Sequence, residues 1–364
     1  MRQTSVLFVQ RALPHYRLPF FEGLHREQDF SVTVAHGHVK RLHSLTARED
    51  PRFGTLSLSN YVAPILGGFV YQRGWSNLLK ARDYDCLILE FNVRILSNHF
   101  LLFEAKRRNI PCILWGHGLG HRGLSLVEKF RFYLVRKCDA LVTYTQGGGR
   151  PFLQQGIPSE KIFVAPNTLD VDRIKPVQAK EPGNLVLYVG RLIRPKRVDV
   201  LIEAFASVVD TLPNSKLIIV GDGSERQFLE RLVEELNIRS HCRFTGAILD
   251  EKKLSTFFSR AVVYVCPGYV GLGVVHSFAY GVPVIVARDA NHGPEIDYVR
   301  SGINGLILNE AAPETIAAAI QTLFEDTNLQ SRLRAGAKLT ARELSMDRMV
   351  QGFAQAIRYV CARQ

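Results

Sequence analysis

The chain has 364 residues, 46% of them hydrophobic and 22% charged, and a formal charge of +12. Such a length exceeds one ordinary core and points to two domains, while the composition excludes a disordered or collagen-like chain. No stretch approaches the roughly 20 apolar residues that span a bilayer; residues 61–71 come nearest and are far too short, and the four-residue apolar run near the N-terminus argues against a signal peptide.

In chain order, residues 4–9 read as a strand and 17–26 as a helix with apolar spacing. Residues 30–36 and 84–90 read as strands, 97–109 as a helix, and 110–118 as a strand ending in a loop. A long helix over 124–139 leads into a strand at 140–145, and a short helix over 148–157 precedes a strand at 161–167. The pattern then restarts. Strands are expected at 184–190, 215–223, 242–246, 262–266, 282–287 and 303–309, with helices at 197–213, 224–238 (opened by Ser224 as N-cap) and 250–261 between them. Residues 167–184 are polar, carry two prolines and show no periodicity, which suits a domain connection.

Strand–helix alternation implies parallel sheets covered on both faces. The expected fold is therefore α/β: two facing doubly wound Rossmann-like domains with an interdomain cleft. Residues 1–168 would form the first and 169–345 the second, with a C-terminal helix at 346–364 packing back on the first. Ligands of such sheets bind at the carboxyl ends of the strands.

The six cysteines, Cys86, Cys112, Cys138, Cys242, Cys266 and Cys361, include no CxxC pair, and several lie in apolar runs. Small core residues in a reducing, cytoplasmic compartment behave this way. Residues 1–180 hold 25 Lys and Arg against 14 Asp and Glu, whereas residues 181–364 hold 21 against 20. The basic excess thus belongs to the first half, and it suits an anionic lipid surface or a phosphorylated substrate. Nucleic acid is the weakest of the possible partners, because no aromatic platform interleaves the basic residues on strands.

Candidate chemistry clusters at strand ends. "PGYVGLG" at 267–273 is a glycine-rich turn between an apolar strand and the helix that Gly281 stops. It is either an anion cradle of backbone N–H groups or a tight turn whose glycines merely supply positive φ. "LYVGRLIRPKRVD" at 187–199 ends a strand at Gly190 and then offers Arg191 and Lys196, cations suited to a diphosphate; Arg194 and Arg197 read as surface positions. Gly221 and Gly223 are only half of a dinucleotide fingerprint, so an NAD site is not expected. His117 stands in a glycine turn at a strand tip. Glu295, after Pro294, is either a helix-start carboxylate or a partner for a sugar hydroxyl. Arg11, His15 and Arg17 follow the first strand. "EKFRFYLVRK" at 128–137 mixes cations with Phe130, Phe132 and Tyr133, as either a membrane-surface helix or an amphipathic helix facing its own sheet.

Taken in order, "VGRLIRPKRVDVLIEAF", "LIIVGDG", "RFTG" and "GVPVIVARDANHGPEIDYVRSGINGLIL" resemble the retaining, nucleotide-sugar-dependent glycosyltransferases of family 4, which have the GT-B fold. The likeness covers roughly residues 160–330, and fragments such as "PHYRLPFFEGL" extend it forward. By this resemblance Arg191 and Lys196 match the basic pair on the donor diphosphate. His117 matches a histidine that approaches the donor sugar. Gly190, Gly246, Tyr269, Val270, Gly271, Leu272, Gly273, His276 and Glu295 would hold the UDP- or GDP-linked donor. The acceptor is expected on the basic first half, at Arg11, His15 and Arg17 after its first strand.

One departure stands out. The family's two loop glutamates fall on Gly268 and His276, and neither acid is present. A neutral imidazole can accept a single hydrogen bond from a ribose where a carboxylate accepts two, so ribose binding should be rearranged. The resemblance implies a retaining hexosyltransferase that needs no cofactor or metal and builds cell-surface polysaccharide on a glycan or polyprenyl-phosphate carrier. No Asp-x-Asp pair suits a metal, because Asp170 and Asp172 lie in the connection, where solvation accounts for them. The missing acids keep open a catalytically silent nucleotide-sugar-binding protein, and a GT-B epimerase is a further alternative.

Overall fold

A computed structural model describes residues 2–37, 51–63, 68–81, 83–118, 126–174 and 183–363. The chain divides into two compact units, residues 1–170 with 346–364, and residues 171–345. Part of the proposed connection, residues 175–182, and the start of the helix expected from residue 124 lie outside the described residues.

The first unit runs β1 (Thr4–Gln10), α1 (Leu18–Arg26), β2 (Phe30–Gly37), β3 (Gly54–Ala63), β4 (Phe69–Arg73), α2 (Trp75–Ala81), β5 (Cys86–Glu90), α3 (Leu96–Arg107), β6 (Cys112–Gly116), α4 (Leu126–Lys137), β7 (Ala140–Thr143), α5 (Gln146–Gln154) and β8 (Ile162–Val164). Its sheet order is β4-β3-β2-β1-β5-β6-β7-β8, parallel except for the β3–β4 pair. Successive side chains of a strand point to opposite faces, and here both faces are covered. Val6 and Phe8 join one core with α1, while Leu7 and Val9 join another with α2, α3 and α4. Aromatic rings fill the first of these cores: Phe8 meets Phe21 edge-on at 5.0 Å, and Trp115 and Phe20 close on Phe353 at 4.8 and 4.7 Å.

The second unit runs β9 (Leu185–Val189), α6 (Val198–Thr211), β10 (Lys216–Val220), α7 (Arg226–Glu235), β11 (Cys242–Gly246), α8 (Glu251–Phe258), β12 (Ala261–Cys266), α9 (Gly273–Ala279), β13 (Val284–Ala287), β14 (Gly305–Leu308), α10 (Pro313–Glu325) and α11 (Thr327–Glu343). Its six strands are all parallel in the order β11-β10-β9-β12-β13-β14. The order reverses beside β9, so the ends of β9 and β12 form the switch point where ligands of open α/β sheets bind. The last helix, α12 (Met346–Cys361), packs Met349, Phe353 and Ile357 into the first unit's core.

Two local expectations need correction. Ser224 does not cap α7. The residue before the helix is Glu225, whose backbone N–H donates to the Leu192 carbonyl at 3.0 Å, so the turn is held by the neighbouring strand's extension and not by a hydroxyl. The antiparallel pair β3 and β4 is also absent from the expected elements, although residues 54–63 alternate polar with apolar as a half-exposed strand does. Gly281 ends α9 with φ of +67°, a left-handed position that glycine fills without strain.

Candidate functional site

In the second unit the glycine loop leaves β12 and is fastened from below. Gly268 N–H donates to the Lys196 carbonyl at 3.1 Å, and Tyr269 N–H donates to that of Pro195 at 2.7 Å. Val270 N–H donates to His292 Nδ1 at 3.3 Å, and the Val270 carbonyl accepts from Gly293 N–H at 3.0 Å. These bonds tie the loop to two separate segments, so its backbone is held before any ligand arrives. The N–H groups of Gly271, Leu272 and Gly273 donate to no backbone acceptor among the described residues. Those are the groups left to face an anion.

Lys196 follows the short turn after β9. Its Nζ donates to the Tyr269 carbonyl at 2.7 Å and lies 5.1 Å from the centre of the Tyr269 ring. Burial pushes its pKa below the ordinary 10.5 and Arg191 adds to that, while Cys266 and Glu295 pull the other way. Glu295 is itself buried, and its Oε2 lies where a side chain on Gly293 would begin. Arg191 is exposed. Thus Arg191, Lys196, Tyr269 and Glu295 share one electrostatic neighbourhood.

Gly190, Gly221 and Gly246 align at the ends of β9, β10 and β11. Gly190 N–H donates to the Val220 carbonyl and Gly221 N–H to that of Gly246, both at 2.9 Å. Gly246 therefore closes the strand-end row and is not part of the 267–273 loop. Of the two remaining cations, Arg194 is exposed and Arg197 pairs with Asp289 at 2.8 Å and caps the Ala311 carbonyl.

Several supporting residues escape a reading by sequence. Tyr188 and Tyr264 are buried and stacked with an interplanar angle of 9°; their hydroxyls donate to the Arg191 carbonyl at 2.9 Å and the Val189 carbonyl at 3.1 Å. They fix the exit of β9, and the Tyr264 hydroxyl lies directly under Gly273. Their signal was tyrosine inside an otherwise aliphatic strand, since a buried phenol needs a partner.

His276 on α9 is the second such case. Its Nε2 lies 2.9 Å from Glu251 Oε1, and the Tyr280 hydroxyl donates to the same oxygen. A carboxylate only accepts, so Nε2 carries the proton and Nδ1 is the acceptor of the neutral ring. Burial pulls the Glu251 pKa up, but the bonds from His276 and Tyr280 outweigh it and leave the carboxyl below its ordinary 4.5. An acid therefore does stand beside position 276, supplied from α8. The lowered pKa stabilises the fold above the ordinary carboxylate range, and that contribution fades as pH falls through the folded value. Glu251→Gln should lower stability by about 0.5–1 kcal/mol near neutrality, because the pair is partly exposed. Urea titrations at pH 7 and at pH 3 should show that difference shrinking at the lower pH.

The first unit gathers its own charged set at the ends of β1, β5 and β6. Arg11 is paired with Glu90, its Nε donating at 2.7 Å. Arg17 is buried, lies over the rings of Tyr16, Trp115 and Tyr144 at 5.4, 5.4 and 5.8 Å, and donates to Asn167 Oδ1 and Met349 Sδ. It fastens α12 to the strand ends. His15 is exposed. His117 keeps an accessible edge while its ring packs edge-on against Tyr144 at 5.2 Å. Desolvation by that packing lowers its pKa below 6.5, reinforced by Arg17 and Arg11 against the pull of Glu90, so the imidazole is neutral at pH 7.

Residues 170–340 match the family of glycosyl transferases, group 1. That match spans nearly the whole of the second unit, residues 171–345. The chain is 29% identical over 310 residues to the lipopolysaccharide core biosynthesis glycosyltransferase LpsE of Rhizobium meliloti, covering 78% of this chain and 87% of that one. It is 22% identical over 378 residues to the putative glycosyltransferase EpsD of Bacillus subtilis, covering 96% and 95%. Among solved structures, Anabaena HepE in complex with UDP and glucose superposes with a TM-score of 0.71 at 16% identity, covering 97% of this chain and 98% of that one. This likeness extends to both Rossmann-like units and gives the chain the GT-B fold.

Proposed function

We propose that this glycosyltransferase moves a hexose from a UDP- or GDP-linked donor to a glycan or polyprenyl-phosphate-linked acceptor in cell-surface polysaccharide assembly, with retention at the anomeric carbon. The observation that carries the reading is Lys196 Nζ held on the Tyr269 carbonyl at the glycine loop. That ammonium, Arg191 and the N–H groups of Gly271, Leu272 and Gly273 form a set of donors suited to a diphosphate. The UDP found with HepE and the polysaccharide roles in the names of LpsE and similar relatives support the donor class and the pathway type.

In the reaction, the bond between the anomeric carbon and the diphosphate oxygen breaks, and its electron pair leaves with the nucleoside diphosphate. The acceptor hydroxyl attacks the same face of the oxocarbenium-like sugar, and its proton passes to the departing phosphate oxygen. Lys196 and Arg191 offset the growing negative charge, so no metal enters this scheme. His117, neutral at pH 7, is the first unit's candidate for contact with the sugar, and the basic strand-end region around Arg11 and His15 is the candidate acceptor side. His276 Nδ1 takes one ribose hydroxyl. Peripheral attachment at the inner face of the plasma membrane belongs to the same reading.

Calorimetry with UDP, GDP and their hexose conjugates tests it. One base should bind at micromolar concentration, and its conjugate should be hydrolysed or transferred on addition of acceptor lipid. Binding without turnover would favour a silent carrier, and exchange of the C2 proton without transfer would favour an epimerase. Failure of every nucleotide to bind would remove the reading.

A further inference from the structure

Helices α3 and α4 cover the same face of the first sheet, and each turns apolar residues outward as well as inward. On α3, Leu96, Phe100 and Phe103 recur at helical spacing on the solvent side, and Phe103 is 70% exposed. On α4, Leu126, Phe130 and Tyr133 do the same, with Leu126 82% exposed. The two stripes touch through His99 and Phe130, whose rings are 5.3 Å apart. Trp75 stacks on Phe100 at 5.4 Å and donates from Nε1 to the Tyr71 hydroxyl, which carries the aromatic surface on to α2 and β4. Scattered exposed apolar residues are ordinary, but a connected series of this kind is not.

Charge distinguishes what such a surface meets. Lys106 and Arg107 are exposed at the end of α3, and Lys129, Arg136 and Lys137 on α4. Of these, Arg107 is paired with Glu104, which also binds Arg108, and Glu128 is buried, so Lys106, Lys129, Arg136 and Lys137 carry the positive charge of this face. A second copy would bring the same cations face to face and be repelled. Aromatic and aliphatic side chains bordered by long basic ones suit the boundary between lipid headgroups and acyl chains.

We infer that the outward face of α3 and α4 is a docking surface for an anionic lipid bilayer, with Phe100, Phe103 and Phe130 entering the acyl boundary and the lysines and arginines meeting the headgroups. This deepens the peripheral-attachment part of the proposed function and rests on it. The surface lies on the first unit, away in sequence from the nucleotide loop, so attachment and donor binding are separable by variant.

The test is co-sedimentation of the full chain with vesicles of phosphatidylcholine alone and of phosphatidylcholine mixed with phosphatidylglycerol. The protein should pellet with the mixed vesicles only, and less as salt rises. Lys129→Glu with Lys137→Glu should lower the partition constant tenfold or more, and Phe103→Ser with Phe130→Ser should do likewise. Both pairs are exposed, so melting curves and nucleotide binding should be unchanged. Equal pelleting with neutral vesicles, or pelleting that neither pair reduces, would overturn the inference. A concentration-dependent dimer that Phe103→Ser with Phe130→Ser abolishes, without vesicle binding, would assign the face to a second copy instead. Failure of the parent chain to bind nucleotide, with vesicle binding intact, would count against the donor reading alone.

Discussion

Lys196→Ala should lower kcat/KM for the nucleotide-sugar donor by about 10²–10³-fold while leaving the fold intact. The ammonium touches a neutral carbonyl, that of Tyr269, and Arg191 beside it adds like charge. Burial and that arginine hold its pKa below 10.5, so the free protein carries a destabilised cation at this point. A diphosphate arriving beside it relieves that cost and is attracted strongly, because the surroundings screen poorly. The attraction grows as the leaving group gains charge, so kcat should fall along with donor affinity. The loop itself should survive, since Gly268 and Tyr269 are tied to the backbone carbonyls of residues 196 and 195 and not to the lysine side chain. Lys196→Met, which keeps the stem and removes the charge, should behave as Lys196→Ala does. The pH profile has a definite sign: donor affinity should fall as pH rises through the folded pKa, at lower pH than an ordinary lysine would give. Single-turnover kinetics with full retention of rate in either variant would exclude the role.

Much of the architecture was legible because it follows from local pattern. A run such as Ala261–Cys266, β-branched and wholly apolar, suits a strand covered on both faces, and it is fully buried. Gly281 announced the end of α9 by its own backbone freedom. What stayed hidden depends on contacts between distant residues. Glu251 and His276 are 25 positions apart, and nothing near either one signals that α8 delivers a carboxylate to α9. The same holds for Arg17, which reads as a free cation beside a strand end and instead ties Asn167 and Met349 together across the first unit. Clustered cations at strand ends mark a candidate region, but the clustering does not tell which of them are already committed. Lys196 and Arg197 are neighbours in sequence; the first lies on the glycine loop, while the second is bound to Asp289.

Placing a glutamate at Gly268 or His276, where the sequence resemblance alone would expect one, should damage the site, and Gly268→Glu should do so severely. A side chain on residue 268 would begin 2.2 Å from the Pro195 carbonyl oxygen and 2.6 Å from the Lys196 carbonyl carbon. Both are backbone atoms of the turn that presents Lys196, so neither can yield as a flexible side chain would. Relief requires moving the turn away from the loop, which breaks the 3.1 and 2.7 Å bonds from Gly268 and Tyr269 and withdraws Lys196 from the Tyr269 carbonyl. Even Gly268→Ala should cost about 1–3 kcal/mol by overpacking, and the glutamate, with a charge to bury as well, should cost more and weaken donor binding together with stability. His276→Glu fails for a different reason, since it sets a carboxylate beside Glu251 in place of the ring that Glu251 binds; its loss should be largest at neutral pH and ease as pH falls and one acid takes up a proton. Thermal melting and donor calorimetry on the three variants distinguish these causes. If Gly268→Glu melted like the parent chain and bound donor more tightly, the close packing of this loop on the Lys196 turn would not be the reason the acid is absent.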